Sequence, residues 1–216
     1  MKNFNYYEIM GVAVPGAAFV IILAVATSKL PEIVLSKDFG IANLGIFLVI
    51  AFVAGQFTQA FGNLLENIYW YFAKGMPSDW IRTGKKTLLS TQQVDCLKNK
   101  LKKQQAISGE ISELDKEQWY GVTRQIYANV QKDGNTYRID RFNANYGLNR
   151  GLATASIMAV IVILFVDFAR WKLSLLCLLV AAVFLYRMQR FGKNYARELF
   201  VQYLEVSGNK NREGKT

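Results

Sequence analysis

Four apolar stretches, two on each side of a long polar segment, dominate the chain: Met10 to about Ala26, Ile41 to Phe61, Leu152 to Ala169 and Leu173 to Tyr186. A helix rises about 1.5 Å per residue, so crossing roughly 30 Å of hydrocarbon takes about 20 residues. The second stretch meets that length unaided, and the others borrow flanking residues. The fourth spans only if Trp171 sits at one interface and Arg187 snorkels to the other. The pattern predicts an all-α membrane protein with four transmembrane helices arranged as two hairpins and a helical cytoplasmic domain between spans 2 and 3. Residues 1–71 would form the first hairpin with a helical extension and 72–150 the cytoplasmic domain. Residues 151–206 would form the second hairpin with an amphipathic extension, and 207–216 a disordered polar tail.

Within the first span, Gly11, Pro15, Gly16, Ala17 and Ala18 allow close backbone approach, and Pro15 removes one helical hydrogen bond, so this end is a packing surface or a kink. The loop Lys29–Ser36 is apolar enough to lie along the outer interface. From Gly55 the second span changes character: Gln56, Gln59, Asn63 and Glu66 recur at steps of three, four and three, on one helical face. Polar groups there need protein or water beside them. Two readings stand. Either the helix has emerged into the interface, with Tyr69, Trp70 and Tyr71 as an aromatic belt, or these residues face an oligomer interface or pore mouth.

In the middle segment, Ser90 with Gln93 forms a capping-box pattern before Val94, Leu97 and Leu101 repeat at helical spacing. A second helix is expected from about Asp115 to Lys132, with Trp119, Val122, Ile126 and Val130 as its apolar face, joined by Tyr120 and Tyr127, and Asp133-Gly134-Asn135 as its turn. Such a segment makes a thin core alone, so it is expected to pack on the membrane-proximal helices or on neighbouring subunits. Beyond the fourth span, Arg187, Arg190, Lys193 and Arg197 run in helical register with Phe191, Tyr195, Leu199, Phe200 and Tyr203. This extension is expected to pack on the emergent second helix, with Glu66 meeting Arg187 or Arg190.

Charge sets the orientation. Of 26 Lys and Arg, fourteen lie between Tyr71 and Arg150, seven from Arg187 onward and one at Lys2, leaving four in the two short loops. Basic residues stay on the cytoplasmic side, so both termini and the middle segment are expected inside a bacterial inner membrane. The net charge of +10 suits anionic headgroups, while nucleic acid or a nucleotide is a counter-charge that nothing in the sequence requires. Ala24-Val25-Ala26 resembles a signal cleavage site, but Lys2 opposed by Glu8 makes a weak leading region, so the span is read as retained. The two cysteines, Cys96 and Cys177, fall in different environments and are not expected to pair.

The chain has no histidine, which removes histidine-dependent nucleophile pairs and histidine metal sites. No Walker-type loop is present, and Glu110, Glu113, Asp115 and Glu117 lack the pattern of a two-metal site. Mid-membrane charge is missing, with Asp167 and Arg170 paired at a span end, so an ion-coupled carrier is disfavoured. The expectation is a non-enzyme without cofactor or metal. Arg138 and Arg141 share a helix face, and Arg150 lies further on near the headgroups; with Arg187 and Arg190 they are candidates for an anionic ligand, lipid headgroups or a partner, or for pairing with Asp140 or Glu66. Lys98, Lys100, Lys102 and Lys103 form a further basic run, a solvated face or a nucleotide or lipid site.

Paired spans around a helical segment resemble the small four-span membrane proteins of bacterial phage-defence operons, namely effectors of cyclic-oligonucleotide signalling systems and the membrane subunit of Kiwa-type systems. The segments Gly62-Asn63-Leu64-Leu65-Glu66, Phe142-Asn143-Ala144-Asn145-Tyr146-Gly147 and Tyr195-Ala196-Arg197-Glu198-Leu199-Phe200 look like signatures of such a family. The resemblance implies inner-membrane defence by depolarisation or by partner recruitment. The expected function is a homo-oligomeric, membrane-perturbing or pore-forming effector; the alternative is an anchor or sensor that recruits a cytoplasmic partner protein.

Overall fold

The computed structural model of the chain describes residues 9–26, 41–84, 87–133 and 136–213. Among them every regular element is a helix. A π-helical turn, Ile9–Ala13, leads into α1 (Val14–Ala26), followed by α2 (Ile41–Phe72) and the single turn α3 (Trp80–Thr83). Then come α4 (Thr91–Lys103), α5 (Lys116–Lys132), α6 (Tyr137–Val166) and α7 (Trp171–Glu213). Short 3-10 turns lie at Pro77–Asp79, Ile111–Glu113 and Phe168–Arg170. The loop Lys29–Ser36, the pair Lys2 and Glu8, and Gly134 and Asn135 lie outside the described residues.

Among the described residues four helical stretches are long and apolar enough to cross a membrane: Ile9–Ala26, Asn43–Thr83, Tyr137–Val166 and Phe168–Val206. The 32 residues of α2 and the 43 of α7 make rods of about 48 and 65 Å, well beyond the roughly 30 Å of a bilayer core. The fourth apolar stretch, short by itself, therefore belongs to the longest helix of the chain. That helix runs on to Glu213, into the segment from Ser207 expected to be a disordered tail.

The chain divides into two compact units. One is drawn from Met1–Tyr69 and Ala144–Arg190, the other from Trp70–Asn143 and Phe191–Thr216.

In the first unit α6 is the most covered span, with half of its apolar window buried against 17% for α2 and α7. Its buried positions Ala153, Thr154, Ala155, Ser156 and Ala159 go nearly round the helix and are small residues that let neighbouring backbones approach. Glycines do the same on α1, α2 and α6. A Cβ on Gly16 would collide with the Ala51 carbonyl and lie 2.7 Å from the Gly55 Cα, and one on Gly151 would lie 2.8 Å from the Pro15 Cβ. At the far end of α1, Ala26, Val160, Ile163 and Cys177 cluster with Ile22 and Leu173. There Arg170 donates from Nη1 to the Val25 carbonyl at 3.0 Å and from Nε to Asp167 at 3.0 Å. Asp167 also accepts from the Ala169 amide, capping the turn that separates α6 from α7.

In the second unit the expected capping box closes α4: the Gln93 amide donates to Ser90 Oγ and the Ser90 amide to Gln93 Oε1. Asp115 and Gln118 repeat the device on α5. Trp119, Val122, Ile126 and Val130 are all buried, whereas Tyr120 points outward. The thin core is completed by the chain's own long helices. Ile139 of α6 and Ala196, Leu199, Phe200 and Tyr203 of α7 join Leu97, Leu101 and Trp119 in one cluster, with Trp119 stacked on Phe200 at 5.9 Å between ring centroids. The α7 extension thus packs on α4 and α5, and not through Glu66 as expected.

Candidate functional site

The polar residues of α2 are sorted by the first unit into an inward set and an outward set. Inward lies an ion pair. Arg150 Nη1 donates to Glu66 Oε2, and Arg150 Nη2 donates to Gln59 Oε1. The two charged side chains are only 11% and 15% exposed, so each depends on the other, because a lone charge held away from water is costly. Glu66 was expected to meet Arg187 or Arg190; it meets Arg150, the alternative partner, across 84 positions of sequence. Arg187 Nε instead donates to Asn149 Oδ1 at 3.0 Å, and Asn149 Nδ2 to the Asn145 carbonyl. Arg190 is exposed.

Gln59 links this pair to the first span. Its Nε2 donates to the Gly11 carbonyl, the acceptor that would ordinarily bond the amide four residues on. That residue is Pro15, which has no amide proton. The carbonyl sits in the π-helical turn, a local adjustment of the kind that proline provokes. One carboxamide therefore satisfies an acceptor that proline leaves without its usual donor, and a guanidinium, with its two ends. The close approach needed is supplied by glycine: a Cβ on Gly151 would sit 3.4 Å from Gln59 Nε2, and one on Gly62 3.5 Å from Arg150 Nε. Arg150 Nε itself is buried and unpartnered.

Outward lie Gln56 and Asn63, both exposed. At about 100° per residue they are nearly in line along the helix, and Asn67, which the sequence reading did not single out, continues the same line and is also exposed. The four-residue stripe expected from spacing is therefore two faces: Gln59 and Glu66 turn into the unit and Gln56 and Asn63 away from it.

Arg138 and Arg141 belong to the second unit, where Arg138 pairs with Glu198 at 3.3 Å and Arg141 is exposed. Arg138 thus has a partner other than Asp140 or Glu66. Asp140 accepts from Tyr127 Oη at 2.8 Å; burial first, and this bond second, push the Tyr127 phenol up to about 12. The basic run on α4 is also engaged. Lys98 and Lys102 both pair with Glu110, and hydrogen bonding from Lys98 is the main cause that holds its carboxyl below the usual range. Lys100 Nζ donates to the Tyr203 carbonyl and lies 3.7 Å over the Tyr203 ring centroid. Burial pushes this amine down to about 8, against the pull of Asp133. Of the clustered acids, Glu113 and Asp115 bond backbone amides at turn and helix starts. Cys96 is exposed and Cys177 buried, and both are free.

Comparison of the chain with protein-family models, with curated proteins and with solved structures finds no match.

Proposed function

We propose that the chain is a non-enzymatic, homo-oligomeric effector of the bacterial inner membrane that permeabilises the bilayer as an antiviral response. The observation that carries this reading is a closed interior combined with an outward polar face. Backbone-to-backbone approach at Gly16 and Gly55, and the packing of Pro15 and Gln59 side chains on Gly151, fill the space between α1, α2 and α6, so a water path would run between copies and not through one. Gln56 and Asn63 stand on the outside of a span otherwise lined by exposed Val53, Phe57, Phe61 and Leu64.

Contacts at both span ends support two hairpins in alternating directions. Gly11, Gln59, Glu66 and Arg150 meet at one end, and Val25 meets Arg170 at the other. With that alternation, the basic-residue distribution favours both termini and the middle segment in the cytoplasm. A second reading, an anchor that recruits a soluble partner protein, is favoured by the complete core of the second unit, which makes it a folded platform. Dye release from liposomes separates the two. A permeabilising effector releases a small fluorophore at low protein-to-lipid ratio, whereas intact liposomes with co-purification of a soluble protein would replace the first reading by the second.

A further inference from the structure

Between Gly45 and Asn67 one face of α2 is exposed along its length. Gly45, Val49, Phe52, Gln56, Ala60, Asn63 and Asn67 are all exposed, and a Cβ on Gly45 would have no neighbour within 4 Å. Their steps of four, three, four, four, three and four residues keep them within about 80° of the helix circumference, the spacing of a helix–helix seam. Small residues at Gly45 and Ala60 bring a facing backbone close. The side chains of Gln56 and Asn63 make no hydrogen bond among the described residues, and neither carries charge.

We propose that this face is the contact between parallel copies of the chain, with Gln56 and Asn63 hydrogen-bonded to their counterparts. This deepens the effector reading and rests on its membrane placement. The occupant follows from the chemistry of the carboxamide, which is donor and acceptor at once. Acyl chains offer neither function, so a lone Gln56 in the apolar run is left unsatisfied. A second copy running alongside offers the same residue at the same depth, and two carboxamides satisfy one another without any charge. Gln59 and Glu66, being bonded within the chain, take no part in the seam.

The test is disulfide trapping of the full-length protein in native membranes, with Cys96 and Cys177 replaced by Ser and Ala. Val49→Cys and Ala60→Cys probe the seam. Ile50→Cys and Phe61→Cys, each one residue on and about 100° round at nearly the same depth, are the controls. The seam positions are expected to form dimers on mild oxidation at least about ten-fold faster than the controls, and Gln56→Leu to slow trapping at Ala60→Cys while Gln56→Asn preserves it. Equal rates at all four positions, or trapping confined to the controls, would overturn the proposal. Seam trapping in liposomes that hold their dye keeps the contact and removes the permeabilising function; dye release without seam trapping does the reverse.

Discussion

Replacing Glu66 by Leu leaves the Arg150 guanidinium with Gln59 as its remaining side-chain acceptor, in a site where the arginine side chain is 11% exposed. Removing one partner of a buried ion pair costs about 3–5 kcal/mol, and the residual exposure puts this pair at the lower end, about 3 kcal/mol. Arg150→Leu is the gentler change, about 2 kcal/mol, because a stranded carboxylate can take up a proton. The double variant leaves no stranded charge and gives up only the hydrogen bond to Gln59, about 1–2 kcal/mol. The singles and the double are thus far from additive, with a coupling near 3 kcal/mol. At about 2–4 °C per kcal/mol for a chain of this length, Glu66→Leu lowers the melting temperature in mild detergent by about 6–12 °C, and adding Arg150→Leu restores about half of the loss. A double variant as unstable as the sum of the singles would refute the pairing.

Three further outcomes follow from the same geometry. Gly55→Ala, whose Cβ would lie 2.9 Å from the Val12 carbonyl carbon, should lose several kcal/mol through overpacking, whereas Gly45→Ala, facing open space, should leave folding intact; comparing detergent melting curves checks both. Gln59→Leu strands the Gly11 carbonyl and one face of Arg150, for a loss of about 1–3 kcal/mol in the same assay, and Pro15→Ala should soften that penalty by giving the carbonyl a backbone donor. Because Lys100 sits at about 8 against 10.5 in its ordinary state, the unfolded chain holds more protons across that window, so stability rises from about pH 8 to 10.5; Lys100→Met should flatten that rise, and a slope unchanged by the substitution would contradict it.

Elements governed by local chemistry were legible in the sequence. Ser90 and Asp115 announce helix starts because a cap acts within three residues, and Trp119, Val122, Ile126 and Val130 lie buried at the spacing that marked them. The α7 extension was legible as a continuous helix, but its packing partner was not, since Leu199, Phe200 and Tyr203 would suit any apolar surface nearby. The site was half visible. Spacing put Gln56, Gln59, Asn63 and Glu66 on one broad face, yet steps of three and four cannot tell which edge of that face turns inward. The deciding contacts bridge 48 residues to Gly11 and 84 to Arg150. Pro15 carried the one signal that could have found Gln59: a proline inside a span leaves a carbonyl without its usual donor, and a polar side chain on a neighbouring span is the natural replacement.

If copies of this chain open the bilayer between them, bacteria making the protein lose their membrane potential. A potential-sensitive dye should report collapse within minutes of induction, with Gln56→Leu cells retaining their potential at equal membrane levels of protein. Polarised cells with the wild-type chain abundant in the inner membrane would contradict the account.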